Sequence, residues 1–157
     1  MKNMEKTNVM RLLDKSNISY TGYEYDNSCT DGEKVAILVG KDANMVFKTL
    51  VTVDSKNMMF VFCIPVCKKL DLKKAAKAAN VKSIQMLLQK DLLKTTGYIH
   101  GGCSPIGMKK KYPTFIDASC KTISTICISA GKVGHQVEIK VKDLIDYTNA
   151  SVNDLCE

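Results

Sequence analysis

The sequence predicts an α+β fold with a mixed, mostly antiparallel sheet. Short runs with strand-like alternation of apolar residues are interspersed with segments of helical periodicity. Two of these runs, residues 46–53 and 58–64, are separated only by the polar segment 54–57, which is typical of a β-hairpin. Hairpins mixed with helices favour an α+β fold. A length of 157 residues, with no repeat or linker, predicts one domain over residues 1–157.

Capping residues place the predicted helices. Thr7 can cap a helix that runs to about residue 16. Residues 30–33 have the sequence of a capping box, in which Thr30 would cap a second helix ending at Gly40. Asp71 precedes a third helix through residue 79, with alanines on one side and lysines on the other. Further helices are predicted near residues 89–94 and over residues 142–147.

The other strands follow from alternation between turn signals. Pro65 ends the second strand of the hairpin, since proline cannot donate to a sheet ladder. A turn over residues 131–134 separates the last two strands. The predicted strands besides the hairpin are residues 18–25, 83–86, 114–118, 125–129 and 135–141.

Several classes of protein are disfavoured by composition. The first six residues lack the apolar segment of a signal peptide, and the longest apolar run, residues 58–67, is too short to cross a bilayer. Seven cysteines, an odd number, are expected to be reduced thiols. We therefore expect a cytoplasmic protein without membrane contact. Cys63 and Cys67 are not spaced as zinc ligands and both histidines are isolated, so we expect neither a metal nor a cofactor.

The charge of the chain suggests an acidic partner. The formal net charge is +7, and Arg11 is the only arginine among 23 basic residues. Lysine provides a mobile point charge and lacks the bidentate geometry of arginine. Nucleic acid is the first candidate partner, and a merely solvated lysine-rich surface is the alternative.

Residues 97–107 are the least ordinary segment. They hold four of the nine glycines and one of the three prolines. Paired glycines let a backbone approach a ligand closely and direct N–H groups at it. A phosphate-binding P-loop is disfavoured, because Met108 and Lys109 stand where Lys and Ser or Thr are required after Gly107. We interpret the segment as a preformed loop that presents donors to a negative group and place the active site there; a plain turn is the alternative.

Lys48 interrupts an apolar strand face. With period two it shares that face with Val46, Leu50 and Thr52. Its ammonium group must therefore reach the sheet edge or serve a cleft.

Four segments taken together resemble the successive signatures of the YbaK family of free-standing aminoacyl-tRNA deacylases, which are related to the editing domain of prolyl-tRNA synthetase. The segments are VFKTL at residues 46–50, LDLKKA at 70–75, TGY with GGCSPIG within 96–107, and SAGK at 129–132. The resemblance covers nearly the whole chain, and the four segments occur in order and with compatible spacing. The resemblance implies an α+β fold whose mixed sheet is curled, barrel-like, around a small cavity and surrounded by helices.

The resemblance also implies an activity, the trans-editing removal of mischarged cysteine from tRNA(Pro). In the family mechanism, the cysteinyl thiol attacks its own ester carbonyl and leaves as a thiolactone. The sequence shows no evident Ser-His or Cys-His pair, which agrees with a nucleophile supplied by the substrate. The implied partners are the acceptor end of aminoacyl-tRNA and, as a second candidate, prolyl-tRNA synthetase.

Site residues follow from the matched positions. Lys48 matches the required lysine, which orients the aminoacyl-adenosine end, and Gly101 and Gly102 match the loop whose backbone donors face the ester carbonyl. Substrate-binding roles are implied for Tyr23, Thr49, Ser104, Ser129 and Gln136. Some members carry a carboxylate where this chain has Gln136, so the amino-acid preference stays open.

Two other functions remain as alternatives. One is a water-dependent deacylase for alanine or another small amino acid on tRNA, and the other is a non-catalytic tRNA-binding module. Within the glycine loop, the thiol of Cys103 is the obvious candidate for a nucleophile of the protein itself. No group is evident to activate it, so we expect it to pack as a small apolar residue.

Overall fold

The structure is a computed structural model that describes residues 5–157. Within that range there are five α-helices, eight strands and a short 3-10 helix at Ala118–Thr122. The helices are α1 (Asn8–Lys15), α2 (Gly32–Leu38), α3 (Leu72–Ala79), α4 (Gln89–Thr96) and α5 (Val141–Thr148). The strands are β1 (Tyr20–Glu24), β2 (Phe47–Asp54), β3 (Met59–Pro65), β4 (Ile84–Met86), β5 (Thr114–Asp117), β6 (Thr125–Ser129), β7 (His135–Lys140) and β8 (Ser151–Asn153).

The strands form two sheets. The smaller sheet has the order β1-β7-β6, and both of its pairings are antiparallel. The larger has the order β4-β2-β3-β5-β8, in which β2 pairs antiparallel with β3 and β4, while β5 pairs parallel with β3 and β8. This arrangement confirms the predicted α+β class with a mixed, mostly antiparallel sheet.

A single β-bridge joins the two sheets. Val46, just before β2, bridges Cys127 of β6, and the Cys127 N–H donates to the Met45 carbonyl at 2.8 Å. The barrel-like closure implied by the resemblance is not confirmed. Within residues 5–157, β1 and β8 each pair with one strand only, so the sheets have open edges.

The predicted caps locate the helices well, with one correction. Thr7 and Asp71 cap α1 and α3 as expected, with their side chains accepting backbone N–H groups. Asp31, and not Thr30, is the N-cap of α2, because its carboxylate accepts the Glu33 N–H at 3.1 Å. A carboxylate at this position also interacts favourably with the helix dipole.

The hydrophobic core lies on both sides of the sheets. One cluster packs α1 and α5 against the small sheet, with Leu13, Ile126, Ile139 and Leu144 essentially inaccessible to solvent. A second cluster packs α3 against the large sheet, where Phe62 stacks on Phe115 at 5.1 Å. The strand β8, absent from the prediction, adds to the edge of this sheet.

Within the described residues, none of the helices is long and apolar enough to cross a membrane. The predicted lack of an apolar leader concerns residues 1–6, and residues 1–4 lie outside the described part.

Candidate active site

A cavity of about 400 Å³ opens where the two sheets meet. The beginning of β2, the N-terminus of α2, the loop after α4, the end of β6 and the beginning of β7 form its wall. Five residues selected from the sequence line it: Lys48, Thr49, Gly101, Ser129 and Gln136.

Strand register explains why distant residues share this cavity. Gln136 of β7 is the cross-strand partner of both Tyr23 on β1 and Ser129 on β6. Cross-strand partners project from the same face of a sheet, so these three side chains form a row. The bridge between Val46 and Cys127 then brings the start of β2, with Lys48, next to this row.

Lys48 is a charged residue in an apolar part of the cavity wall. It is half-buried, and its strand neighbours Val46 and Phe47, which also line the cavity, are 1% and 2% exposed. Within residues 5–157, no carboxylate lies within ion-pair distance of its ammonium group. The lysine therefore lies at a cleft, and no carboxylate of the described residues neutralises its charge.

The two central glycines allow two loops to meet. Gly101 has a φ of +85°, and a Cβ at this position would lie 2.8 Å from the Thr30 methyl group. A Cβ on Gly102 would lie 3.1 Å from the backbone nitrogen of Val133. Side chains at either position would push this loop away from α2 or from the 131–134 turn, so glycine is required by close approach.

Backbone hydrogen bonding distinguishes the two glycines. The Gly102 N–H donates to the Ile99 carbonyl at 3.0 Å, so it is occupied within the loop itself. Gly101 and Cys103 line the cavity, and neither N–H donates to another residue of the described chain. His100 of the same loop also lines the cavity and its N–H likewise has no acceptor among the described residues, so the backbone donors that this loop can offer to a ligand are those of His100, Gly101 and Cys103.

Side-chain hydrogen bonds hold the loop rigid. The buried Ser104 hydroxyl accepts the Ile106 N–H at 3.3 Å, and the Tyr98 hydroxyl donates to the Ile106 carbonyl. The Tyr98 ring also lies against Gly131, where a Cβ would be 3.0 Å from the ring. One tyrosine therefore contacts both the glycine loop and the 131–134 turn and holds them together.

Gln136 is a buried polar residue of this wall with unmet hydrogen-bonding capacity in its side chain. It is 6% exposed, and its Oε1 has no hydrogen-bond partner in the described structure. Tyr25 also lines the cavity; burial raises the pKa of its hydroxyl, and the neighbouring Gln136 side chain partly offsets this effect. A buried oxygen atom without a hydrogen-bond partner destabilises the folded state, because it has lost its contact with water. The Gln136 oxygen can therefore accept a hydrogen bond from a ligand.

The nucleophile candidates in the cavity are not activated. Burial raises the pKa of Cys103 to about 12, so its thiol is protonated at neutral pH. The Ser129 hydroxyl accepts the Gly131 N–H at 3.1 Å and so stabilises the turn that follows β6. Among the described residues, no group of three His, Cys, Asp or Glu side chains is placed to hold a metal ion.

A comparison with known protein families identifies this architecture. The model of the aminoacyl-tRNA editing domain matches residues 26–147, which is most of the chain. The chain belongs to the aminoacyl-tRNA editing domain family. This membership confirms the resemblance noted in the sequence and the editing activity expected from it.

Related proteins agree with the family. The chain is 44% identical over 150 residues to EbsC of Enterococcus faecalis, which is named as a candidate Cys-tRNA(Pro)/Cys-tRNA(Cys) deacylase, and the match covers 94% of this chain and 92% of EbsC. Two solved structures share the fold. One, titled as a candidate trans-editing enzyme for prolyl tRNA synthetase, is 23% identical with a TM-score of 0.84 and covers 95% of this chain and 94% of its own. The other, the hypothetical protein APE2540, is 19% identical with a TM-score of 0.87, and the match covers 95% of this chain and 99% of APE2540.

Three of the residues selected from the sequence lie outside the cavity lining of this editing domain: Gly102, Tyr23 and Ser104. Tyr23 lies in the row with Gln136, but its hydroxyl donates to Glu138 at 2.8 Å. Ser104 is inaccessible to solvent and acts within the loop. In this conformation, Gly102 makes room for the neighbouring turn, and its N–H is not free to face a substrate.

Several lining residues of the editing domain were not selected from the sequence. Asp31 and Glu33 line the cavity at the start of α2, and His100 and Tyr25 lie on other parts of the wall. Tyr23 and Tyr25 are two residues apart in the predicted strand 18–25, so strand alternation puts them on the same face, which was a usable signal. No sequence signal placed the α2 N-terminus beside β2, because that contact depends on the chain path between them.

Proposed function

We propose that this editing-domain protein acts in trans on mischarged Cys-tRNA(Pro) and removes the cysteine by attack of the substrate thiol on its own ester. The name of EbsC, the relative that is 44% identical, supports this substrate. The observation that carries the mechanism is the chemistry of the cavity. Its wall offers a free ammonium group and free backbone N–H groups, while its own thiol is buried and protonated at neutral pH.

The proposed step balances within the substrate. The cysteinyl sulfur bonds to its own carbonyl carbon, the carbon–oxygen bond to the terminal ribose breaks, and the thiol proton passes to the departing ribose oxygen. Deacylated tRNA and a β-thiolactone result, and water then opens the thiolactone to cysteine. No oxidant or reductant is consumed.

The chain contributes electrostatic stabilisation and positioning to this step. Negative charge develops on the carbonyl oxygen, and a fixed N–H donor at that point is worth roughly 3–4 kcal/mol. We assign this role to the N–H groups of Gly101 and Cys103, with Gly102 permitting the close packing that fixes them. Lys48 meets ribose or phosphate oxygen atoms at the adenosine end.

The remaining polar residues of the cavity contact the aminoacyl group in this proposal. The Gln136 oxygen accepts a hydrogen bond from the substrate ammonium group, and Asp31 and Glu33 line another part of the same cavity. Thr49 and Ser129 line the same space. Tyr23 and Ser104 act indirectly, the first beside Gln136 and the second by fixing the glycine loop.

Three wider expectations stay predictions. We propose that residues 1–157 form one editing domain, with support from the family match over 26–147. We also propose that the protein works in the cytoplasm, where tRNA is charged, and that prolyl-tRNA synthetase assists delivery of the substrate.

A deacylation assay with Lys48→Ala tests the proposal. Parent and variant are compared on Cys-tRNA(Pro), with Lys56→Ala, an exposed lysine in the β2–β3 turn, as the matched control. We expect the Lys48 variant to lose at least about 100-fold in kcat/KM, in line with loss of a transition-state contact, while the control keeps parental activity. Circular dichroism and Tm establish that both variants fold.

Three outcomes would contradict the proposal. A folded Lys48→Ala protein within a few-fold of the parent would remove the lysine from the mechanism. Faster cleavage of Ala-tRNA(Pro) than of the cysteine ester would favour a water-dependent deacylase. Binding of tRNA without cleavage of any ester would favour a non-catalytic module.

A further inference from the structure

A cluster of three lysines, Lys109, Lys110 and Lys111, follows the glycine loop and is hereafter called the basic ridge. All three side chains are exposed. None of them pairs with a carboxylate of residues 5–157, whereas five other lysines of the chain do. The ridge is the longest run of consecutive lysines in the sequence. Because none of its lysines forms an ion pair within residues 5–157, its positive charge is not neutralised by the fold.

The backbone of the basic ridge is anchored to the helix that forms part of the cavity wall. The Lys109 N–H donates to the Thr96 carbonyl at 3.0 Å, and the Tyr112 hydroxyl donates to the Thr95 carbonyl at 2.9 Å. Both acceptors lie in the last turn of α4, whose Leu92 lines the cavity. The ridge therefore has a fixed position relative to the cavity, which a mobile lysine-rich segment would lack.

Packing on both sides of the ridge strengthens this anchoring. Met108 and Tyr112, the residues that flank it, pack against the buried cluster that contains Cys103 of the cavity wall. The methylene stem of Lys109 lies over Gly97, where a Cβ would be 3.3 Å from Cγ of the lysine. The apolar atoms face inward, so the three ammonium groups are left at the surface.

We propose that the basic ridge binds the phosphate backbone of the RNA whose aminoacylated end occupies the cavity. This inference rests on the proposed function. An aminoacyl ester that enters the cavity carries behind it a strand with one negative charge per nucleotide. Three unpaired lysines fixed beside the same wall complement that charge, and their point charges suit phosphate contacts without base recognition.

Charge-removal variants compared on two substrates test the ridge. The triple variant K109Q/K110Q/K111Q is compared with K73Q/K77Q/K82Q, which removes three exposed lysines on and after α3, away from the cavity lining. Both variants lower the net charge equally, so they separate a local contact from general attraction. The substrates are Cys-tRNA(Pro) and 3′-O-cysteinyl adenosine, which has the ester but no phosphate.

We expect the ridge variant to lose about 10-fold or more in kcat/KM on Cys-tRNA(Pro), and the α3 variant to lose no more than about 2-fold. On cysteinyl adenosine, the ridge variant should match the parent. In a plot of the logarithm of tRNA affinity against the logarithm of salt concentration, the slope for the ridge variant should be smaller in magnitude by about 2–3, since each of the three phosphate contacts contributes roughly 0.7–0.9 unit.

Equal losses in the two triple variants, or an unchanged salt slope in the ridge variant, would overturn the inference. A loss on cysteinyl adenosine would also overturn it, because the ridge would then act on the cavity itself. If the parent cleaves neither ester, the proposed function fails, and the affinity for uncharged tRNA(Pro) with its salt slope still decides whether the ridge binds RNA.

Discussion

The thiol of Cys103 shows how burial determines what a reactive residue can do. It is 8% exposed, lines the cavity and packs with Val51 and Val61. Its pKa is raised to about 12 by burial, so almost none of it is thiolate at neutral pH. Cys103 lies where a nucleophile could lie, in the wall of the cavity, but it acts as a packing residue. This agrees with the expectation from the sequence.

The substitution Cys103→Ala should retain most of the activity on Cys-tRNA(Pro), because the reacting sulfur belongs to the substrate. For the same reason, the parent should spare Ser-tRNA(Pro), whose hydroxyl is a much weaker nucleophile. Initial rates on the two esters, at equal concentrations of tRNA, measure both effects. A folded but inactive alanine variant, or equal cleavage of the serine ester, would exclude attack by the substrate thiol.

At the scale of elements, the small sheet is tied together by one carboxylate outside the cavity. Glu138 on β7 accepts hydrogen bonds from Thr125 on β6 at 2.7 Å and from Tyr23 on β1 at 2.8 Å. Lys41, which precedes β2, pairs with the same carboxylate at 3.1 Å and lies 5.8 Å from the centre of the Tyr23 ring. This network joins all three strands of the sheet to the segment before β2.

The pH dependence of stability should report this network. The Thr125 hydroxyl, followed by Tyr23 and Lys41, lowers the pKa of Glu138 from its ordinary value of 4.5. Its stabilising contribution is therefore present above about pH 4.5 and is lost as the pH falls through the folded-state pKa. Glu138→Gln should lower Tm at pH 7, and the difference from the parent should shrink towards pH 3.

Thermal unfolding of parent and variant between pH 3 and 7 measures this difference. Glu24→Gln, an exposed substitution on β1, is the matched control and should follow the parent at every pH. A difference in Tm that stays constant down to pH 3 would show that Glu138 does not stabilise the fold through its charge.

At the scale of the whole molecule, the surface favours contact with phosphates over recognition of bases. The net charge is +7, and the only arginine is Arg11 in α1. Phosphate contacts position a nucleic acid but carry no sequence information directly, and they weaken steeply with salt. The protein alone should therefore bind many tRNAs similarly, and the choice of tRNA would come from a partner such as a synthetase.

Affinities for uncharged tRNA(Pro) and tRNA(Cys) test this expectation. They should agree within about threefold, and both should fall at least tenfold between about 50 and 200 mM salt. Fluorescence anisotropy with end-labelled tRNA provides the measurement. Strong preference for one tRNA, or affinity that barely changes with salt, would instead indicate recognition of tRNA shape by this protein itself.

Much of the local structure was predictable because its causes are local. Thr7 and Asp71 cap helices through groups two or three residues away, and the β2–β3 hairpin follows from two alternating runs and a four-residue connection. The Thr30 cap was wrong by one residue, since Asp31 competes for the same N–H groups with a charged acceptor. The strand β8 was missed because its three residues carry too short a pattern.

The sequence by itself determined the family, the α+β class and the two features that define the site, a lysine on an apolar strand and a loop rich in glycine. Only the tertiary structure decided which groups face the cavity. In the folded chain, the Gly102 N–H is hydrogen-bonded within the loop and the Tyr23 hydroxyl is hydrogen-bonded to Glu138. Glu33 and Tyr25 line the cavity. The reason is physical: residue type and spacing determine local hydrogen bonding, whereas the availability of a group depends on neighbours from distant segments, which exist only once the sheets have packed.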